Sequence, residues 1–197
     1  MPKLDDLPIR ADQLAATADR ILVDLDLIAR LAPVGHPVLV GSAAARLMVV
    51  RDIDFSVLCP SSPSTSSIFT IAHLLFDHPN VKRVNLVDER GPFLSVPGPE
   101  FDGIYCGIRY HEDGTLAGNE WKIDAWFFPD HLPRPDIVIR DRLLAASAGE
   151  RHAILRIKHD LVASSRYGKD IHGIDVYRAV LDRGVRSVAE LDAVTGS

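Results

Sequence analysis

Asp52 and Asp54 stand one residue apart in Asp52-Ile53-Asp54-Phe55, and Asp124 lies far downstream in Lys122-Ile123-Asp124-Ala125-Trp126. Along an extended strand alternate side chains share a face, so the first two carboxylates point the same way while Ile53, Phe55 and Val57 point into a core. The same parity separates Asp124 from Ile123 and Ala125. Carboxylates this close raise one another's pKa or call for a cation, and a divalent ion is the usual resolution. Three of them suit magnesium, or manganese in its place, because such a hard ion takes its remaining ligands from water and substrate phosphates. The chemistry expected of such a centre is in-line displacement at a nucleotide α-phosphorus with pyrophosphate leaving, driven by positioning and charge neutralisation. Asp52 and Asp54 are expected to hold the ion that accompanies the nucleotide. Asp124 is expected to serve a second ion or to act as general base toward an attacking hydroxyl.

An isolated Asp-x-Asp is more often a strand end with two solvated acids. Its surroundings argue otherwise: an apolar segment Val38-Leu39-Val40 runs into Gly41-Ser42, and nine residues separate Ser42 from Asp52. Glycine permits a tight strand-to-helix turn, where exposed amides and the Ser42 hydroxyl can receive phosphate oxygens. Taken locally, Gly41-Ser42 serves equally well as an ordinary helix cap. Arg46, on the short helix after this turn, is a weaker phosphate candidate, with a simple helix-end charge as the competing reading. Lys158 falls within the apolar arc of roughly 200° formed by Ala153, Ile154, Leu155, Ile157, Leu161 and Val162 on a helical wheel. Surface lysines avoid such an arc, so Lys158 either contacts phosphate or snorkels to the rim.

The elements that must position these residues are legible from periodicity. Apolar residues recur every three or four positions over 9–31, an amphipathic leading helix broken by Pro33, Gly35 and Pro37. A strand at 38–40, a helix at 42–48 and a strand at 53–58 follow, then a helix over 67–77 and a strand at 81–87. Segments 103–110 and 120–128 read as a hairpin about the acidic turn Glu112-Asp113-Gly114. Helices are expected at 136–148, 150–166 and 171–183, with a short one from 187. The organisation is thus a catalytic core with a leading helix over 1–135 and a helical part over 136–197 packed on it. The fold class is α/β (α+β), a mixed sheet flanked by helices with a C-terminal helical extension.

Composition sets bounds. A chain of 197 residues, 47% hydrophobic and 25% charged, can bury one sizeable core. A net charge of −5 gives no general pull toward nucleic acid. The stretch 140–169 is locally basic, although such a run is usually a solvated helix face. No apolar run approaches the roughly 20 residues of a membrane span, and Met-Pro-Lys-Leu-Asp-Asp lacks signal-peptide order, so no membrane partner and a cytoplasmic location are expected. Cys59 and Cys106 read as small core residues. The histidines lack metal-ligand spacing, although His111 and His131 are expected in loops near the site. Trp126 shares a face with Asp124 and is the best of the aromatic residues for stacking a base.

Val40-Gly41-Ser42, Asp52-Ile53-Asp54-Phe55 and Ile123-Asp124-Ala125 resemble the motifs of the polymerase-β-type nucleotidyltransferase superfamily. Within it, Gly41-Ser42-Ala43-Ala44-Ala45-Arg46 is most similar to AbiEii-type toxin enzymes and minimal nucleotidyltransferases, as are Lys158, Arg166 and Lys169-Asp170 to their later helical motifs. Ser42 stands where that branch commonly has a second glycine, and Ala43 where it often has threonine. The resemblance covers about residues 36–178. It implies a nucleotidyltransferase-type core, a nucleoside triphosphate such as ATP as substrate, and a hydroxyl acceptor on tRNA, protein or a small molecule. The branch further implies a toxin role with a partner antitoxin.

Two other readings stay open. Leu47-Met48-Val49-Val50-Arg51 followed by Asp52-Ile53-Asp54 also reads as the strand and Asp-x-Asp of a haloacid-dehalogenase-like phosphatase, with Asp52 as nucleophile. A nucleotide-binding module without turnover is the non-enzymatic alternative.

Overall fold

Five segments rich in alternating or β-branched residues form the sheet of this computed structural model, which describes residues 6–93, 101–112 and 120–196. They are β1 (His36–Val40), β2 (Asp52–Cys59), β3 (Val81–Asp88), β4 (Ile104–His111) and β5 (Glu120–Pro129). The order across the sheet is β1-β2-β5-β4-β3. Only the central pair β2 and β5 is parallel; the other three pairings are antiparallel. The register sets Asp54 opposite Asp124, Asp52 opposite Lys122, and Val40 opposite Asp54.

The helices are α1 (Leu7–Asp24), α2 (Leu27–Leu31), α3 (Gly41–Ala45), α4 (Thr65–Phe76), α5 (Pro135–Leu144), α6 (Ala148–Ala163), α7 (Gly173–Arg183) and α8 (Val188–Thr195). One face of the sheet contributes Ile53, Phe55, Val57, Ile123, Ala125 and Phe127 to a core closed by Ile21 and Leu22 of α1 and by Ile68 and Leu75 of α4. A second core joins Leu143, Ile154, Ile157, Leu161, Val176 and Val180 of the later helices to Leu7 and Ala11 of α1. The first turns of α1 therefore pack with the helical part, and its later turns pack under the sheet. This ties the two ends of the chain around the opposite sheet face, where Asp52, Asp54 and Asp124 project.

The expected elements are present, with shifts of physical origin. The leading helix is two helices, because Asp26 adopts a left-handed conformation (φ 46°) that ends the first hydrogen-bond ladder; aspartate is among the few residues that tolerate it. Helix α6 starts at Ala148 because Ser147 and Glu150 form a reciprocal capping box. The hairpin pairs Ile104 with Phe127 through to His111 with Glu120; Asp113 and Gly114 of its expected turn lie outside the described residues. The segment 47–51 is irregular, and β2 begins at Asp52 itself. Four of the five arginines of the basic stretch are engaged in the chain's own surface: Arg140 with Asp141, Arg142 with Asp182, Arg166 with Asp192, and Arg151 on the Ala45 carbonyl. Cys59 and Cys106 are free and buried in the sheet core. No helix among the described residues is long and apolar enough to cross a membrane.

Candidate active site

Parallel pairing of β2 with β5 brings Asp54 and Asp124 side by side, with Asp52 one pleat away on the same face. One carboxylate oxygen from each of the three lies within 4.8 Å of the others. Asp124 is the deepest, 8% exposed, and both of its oxygens are engaged: Tyr105 donates its hydroxyl to Oδ1 at 2.8 Å, and Lys122 Nζ lies 2.5 Å from Oδ2. The same ammonium lies 3.5 Å from Asp52 Oδ1. That oxygen is buried and accepts no hydrogen bond.

The electrostatics follow from this crowding. Burial, reinforced by Asp52 and Asp124, pushes the Asp54 carboxyl up to about 8. Burial also raises Asp52, with Asp124 adding to the effect and Lys122 opposing it. Burial works to lower Lys122, but Asp52, Asp124 and Asp54 together outweigh it and hold the ammonium above the usual lysine range. Three acids crowded about one ammonium at low solvent access therefore favour holding a proton or a cation between them.

Gly41 closes this site from the side of β1. The chain turns there with φ 64°, and a Cβ at this position would lie 2.7 Å from Asp54 Oδ2. Only glycine meets both demands, which explains the residue better than helix capping alone. Ser42 follows, buried, and lines the same cavity as Tyr177 on α7. Tyr177 in turn accepts from Lys158 Nζ at 3.2 Å, and the same ammonium donates to the Leu47 carbonyl at 2.8 Å. Lys158 on α6 thus ties Tyr177 of α7 to the segment that follows α3. Burial brings the Lys158 ammonium down to about 7, against the pull of Asp54 and Asp52.

Asp52 and Asp54 open into a cavity of about 520 Å³ between the sheet and the helical part, a size that suits a small-molecule ligand. Gly41, Ser42, Asp52, Asp54, Lys122 and Trp126 line its sheet side; Arg134, Tyr167, Tyr177 and Arg178 line the other. The rings of Trp126 and Phe128 stack at 5.6 Å and 8°, and the Arg134 guanidinium lies 3.5 Å over Phe128. Arg134 also pairs with Asp136 at 2.9 Å, and Asp136 accepts from Ser56.

Five of the seven residues singled out in the sequence meet here: Asp52, Asp54 and Asp124 in the acid cluster, Gly41 and Ser42 beside it. The other two are placed elsewhere. Arg46 ends α3 and turns to Asp12 (3.3 Å) and Asp19 (3.2 Å) on α1, outside the cavity lining. Lys158 is fully buried (0% exposed), so it neither snorkels to the rim nor lines the cavity. His111 belongs to β4 and is buried against Glu120 at 3.3 Å, and neither it nor His131 lines the cavity. Lys122, Tyr105, Tyr177, Arg134 and Arg178 join the site without having been singled out. Lys122 carried a signal, since it shares strand parity with Asp124. The others reach the site only through tertiary packing.

No family model matches the chain, and no curated protein matches it in sequence. Among solved structures, a cytoplasmic RNA terminal U-transferase aligns with 82% of this chain and 48% of its own, at 11% identity and a TM-score of 0.50. The Cid1 poly(U) polymerase with Mg 3′-dATP bound aligns over 73% of this chain and 40% of its own, at 16% identity and a TM-score of 0.48. The CdnC protein of E. coli MS115-1, in its complex with HORMA-deltaN, aligns over 100% of this chain and 65% of its own, at 15% identity and a TM-score of 0.44. The chain spans about two fifths of the length of the poly(U) polymerase it matches. The mixed five-stranded sheet flanked by helices is a nucleotidyltransferase-type fold.

Proposed function

We propose that this chain transfers a nucleoside monophosphate from a nucleoside triphosphate to a hydroxyl acceptor, with a divalent cation held by Asp52, Asp54 and Asp124. The observation that carries this reading is the convergence of the three carboxylates on two in-register parallel strands, with Asp52 and Asp54 lining one cavity beside the Gly41-Ser42 turn. The donor set fits a hard divalent ion: all three ligands are carboxylates, and Asp52 Oδ1 is buried with no hydrogen bond to satisfy it. Magnesium is the ion this chemistry favours, with manganese as its substitute. When bound, the ion supplies charge neutralisation on the phosphates and on the leaving pyrophosphate.

The chain's own residues do the rest. The Gly41-Ser42 turn presents its amides and hydroxyl toward the phosphates. Arg178, at the exposed rim, is placed to meet the far end of a triphosphate. Trp126 offers a flat face to a base of the nucleotide or of the acceptor. Both oxygens of Asp124 are engaged by Tyr105 and Lys122, which supports a role in organising the site over one as a freely available base. A phosphatase of the haloacid-dehalogenase type needs an apolar strand leading into Asp52, whereas 47–51 is irregular.

The resemblance of the Gly41-Ser42 and Asp52-Ile53-Asp54 motifs to AbiEii-type enzymes supports a toxin role with a partner antitoxin. The candidate acceptors are a tRNA end, a protein side chain and a small molecule. The test is to incubate the protein with magnesium and each α-phosphate-labelled nucleoside triphosphate in the presence of total RNA, protein and small-molecule fractions, with Asp52→Asn as control. Label entering one fraction and lost in the variant supports the reading and names the acceptor class; label in none of them rejects it.

A further inference from the structure

Lys122 stands on β5 opposite Asp52 and two residues before Asp124, on the carboxylate face of the sheet. Its ammonium is 2.5 Å from Asp124 and 3.5 Å from Asp52, so it bridges one acid of the Asp-x-Asp pair to the third carboxylate. A second divalent ion shared by Asp52 and Asp124 would have to occupy this same space. Asp124 is pinned there from the other side by Tyr105, which takes its remaining oxygen. The pair Asp52 and Asp54, beside Gly41, stays open to the cavity.

Resting on the metal-dependent reading above and narrowing its ligand set, we infer that Lys122 takes the place of one of the two cations that three such carboxylates would otherwise hold, so that the protein binds a single divalent ion at Asp52 and Asp54 while Asp124 is committed to Lys122. An ammonium held by strand register is a permanent counter-charge. It neutralises Asp124 without an ion that must be recruited, and its side chain lines the cavity where an acceptor oxygen or a phosphate would lie. The site then carries a fixed positive charge on one side and an exchangeable one on the other. Lys122 is accordingly a positioning residue for Asp124 and a determinant of metal stoichiometry.

The experiment counts Mn²⁺ bound per chain, by the loss of the free-ion electron paramagnetic resonance signal, for the intact protein and for Lys122→Met, Lys122→Arg and Asp54→Asn. The expected result is one ion for the wild type and for Lys122→Arg, two for Lys122→Met, and at least a tenfold weaker site in Asp54→Asn. Two ions on the wild type, or one on Lys122→Met whatever its affinity, overturns the inference while leaving a metal site in place. No ion on any of them removes the metal-dependent reading itself. The wild-type count stands as a test even if Lys122→Met does not fold.

Discussion

Gly41 and Asp54 approach so closely that a Cβ at position 41 would lie 2.7 Å from Asp54 Oδ2. Position 41 also holds φ 64°, a conformation that costs a residue with a side chain about 1–2 kcal/mol. Gly41→Ala is therefore expected to lower stability by about that amount and also to push the Asp54 carboxylate off its position. Displacing a group that orients a metal ligand typically costs about 10–100-fold, and transfer activity should fall by that factor. Urea unfolding and a rate measurement on the same variant check both halves. An alanine variant with wild-type rate would mean that the contact between turn and carboxylate has no part in the chemistry.

Lys158 allows a sharper separation of roles. Its ammonium is fully buried on the Leu47 carbonyl and the Tyr177 hydroxyl. Lys158→Ala leaves a cavity and two groups without a donor, and should cost about 3 kcal/mol or more. Lys158→Met keeps the volume but leaves the same two groups without a donor, so it should recover the cavity part of that loss and still cost about 1–3 kcal/mol. The KM for the nucleoside triphosphate should change little in Lys158→Met, because the side chain does not line the cavity. A KM raised by an order of magnitude at unchanged stability would return Lys158 to the phosphates.

How much of this was visible beforehand depends on distance along the chain. The parity of Asp52, Asp54 and Asp124 is a property of single strands, and the structure keeps it. That β2 and β5 run parallel and in register is a long-range outcome, and it is what turns three acids into one cluster. The helical wheel located Lys158 on the buried side, but not which interior it enters, since Leu47 and Tyr177 come from other elements. Arg46 looked toward the phosphates only while α1 was unplaced; Asp12 and Asp19 draw it to the other side. Lys122 lay in plain view two residues from Asp124. Its residue type alone does not mark it, because lysines at an exposed strand parity are common.

The opposing shifts of Asp54 and Lys158 give the metal-free protein a characteristic pH profile. Asp54 keeps its proton up to about 8 in the fold and loses it near 3.8 when unfolded, so folding becomes less favourable as pH rises through that window. Lys158 gives up its proton near 7 in the fold and near 10.5 when unfolded, so stability recovers as pH rises through that second window. The two slopes cross between them, and these groups place a stability minimum near pH 7–8. Thermal melts across pH 5–10 with a chelator should trace this minimum, and Asp54→Asn should remove its acid side. Added magnesium should stabilise most where Asp54 is ionised, at the alkaline end. A profile that ignores both Asp54→Asn and the metal would show that the cluster is not buried as described.

The most direct test of nucleotidyl transfer is the leaving group. Wild-type protein supplied with magnesium, a nucleoside triphosphate and a cell extract as acceptor source should release pyrophosphate. Asp52→Asn should reduce that release by more than the roughly 10–100-fold typical of groups outside the ligand set, with its circular dichroism spectrum unchanged. Release of orthophosphate in place of pyrophosphate, or pyrophosphate release that survives Asp52→Asn, would contradict the account.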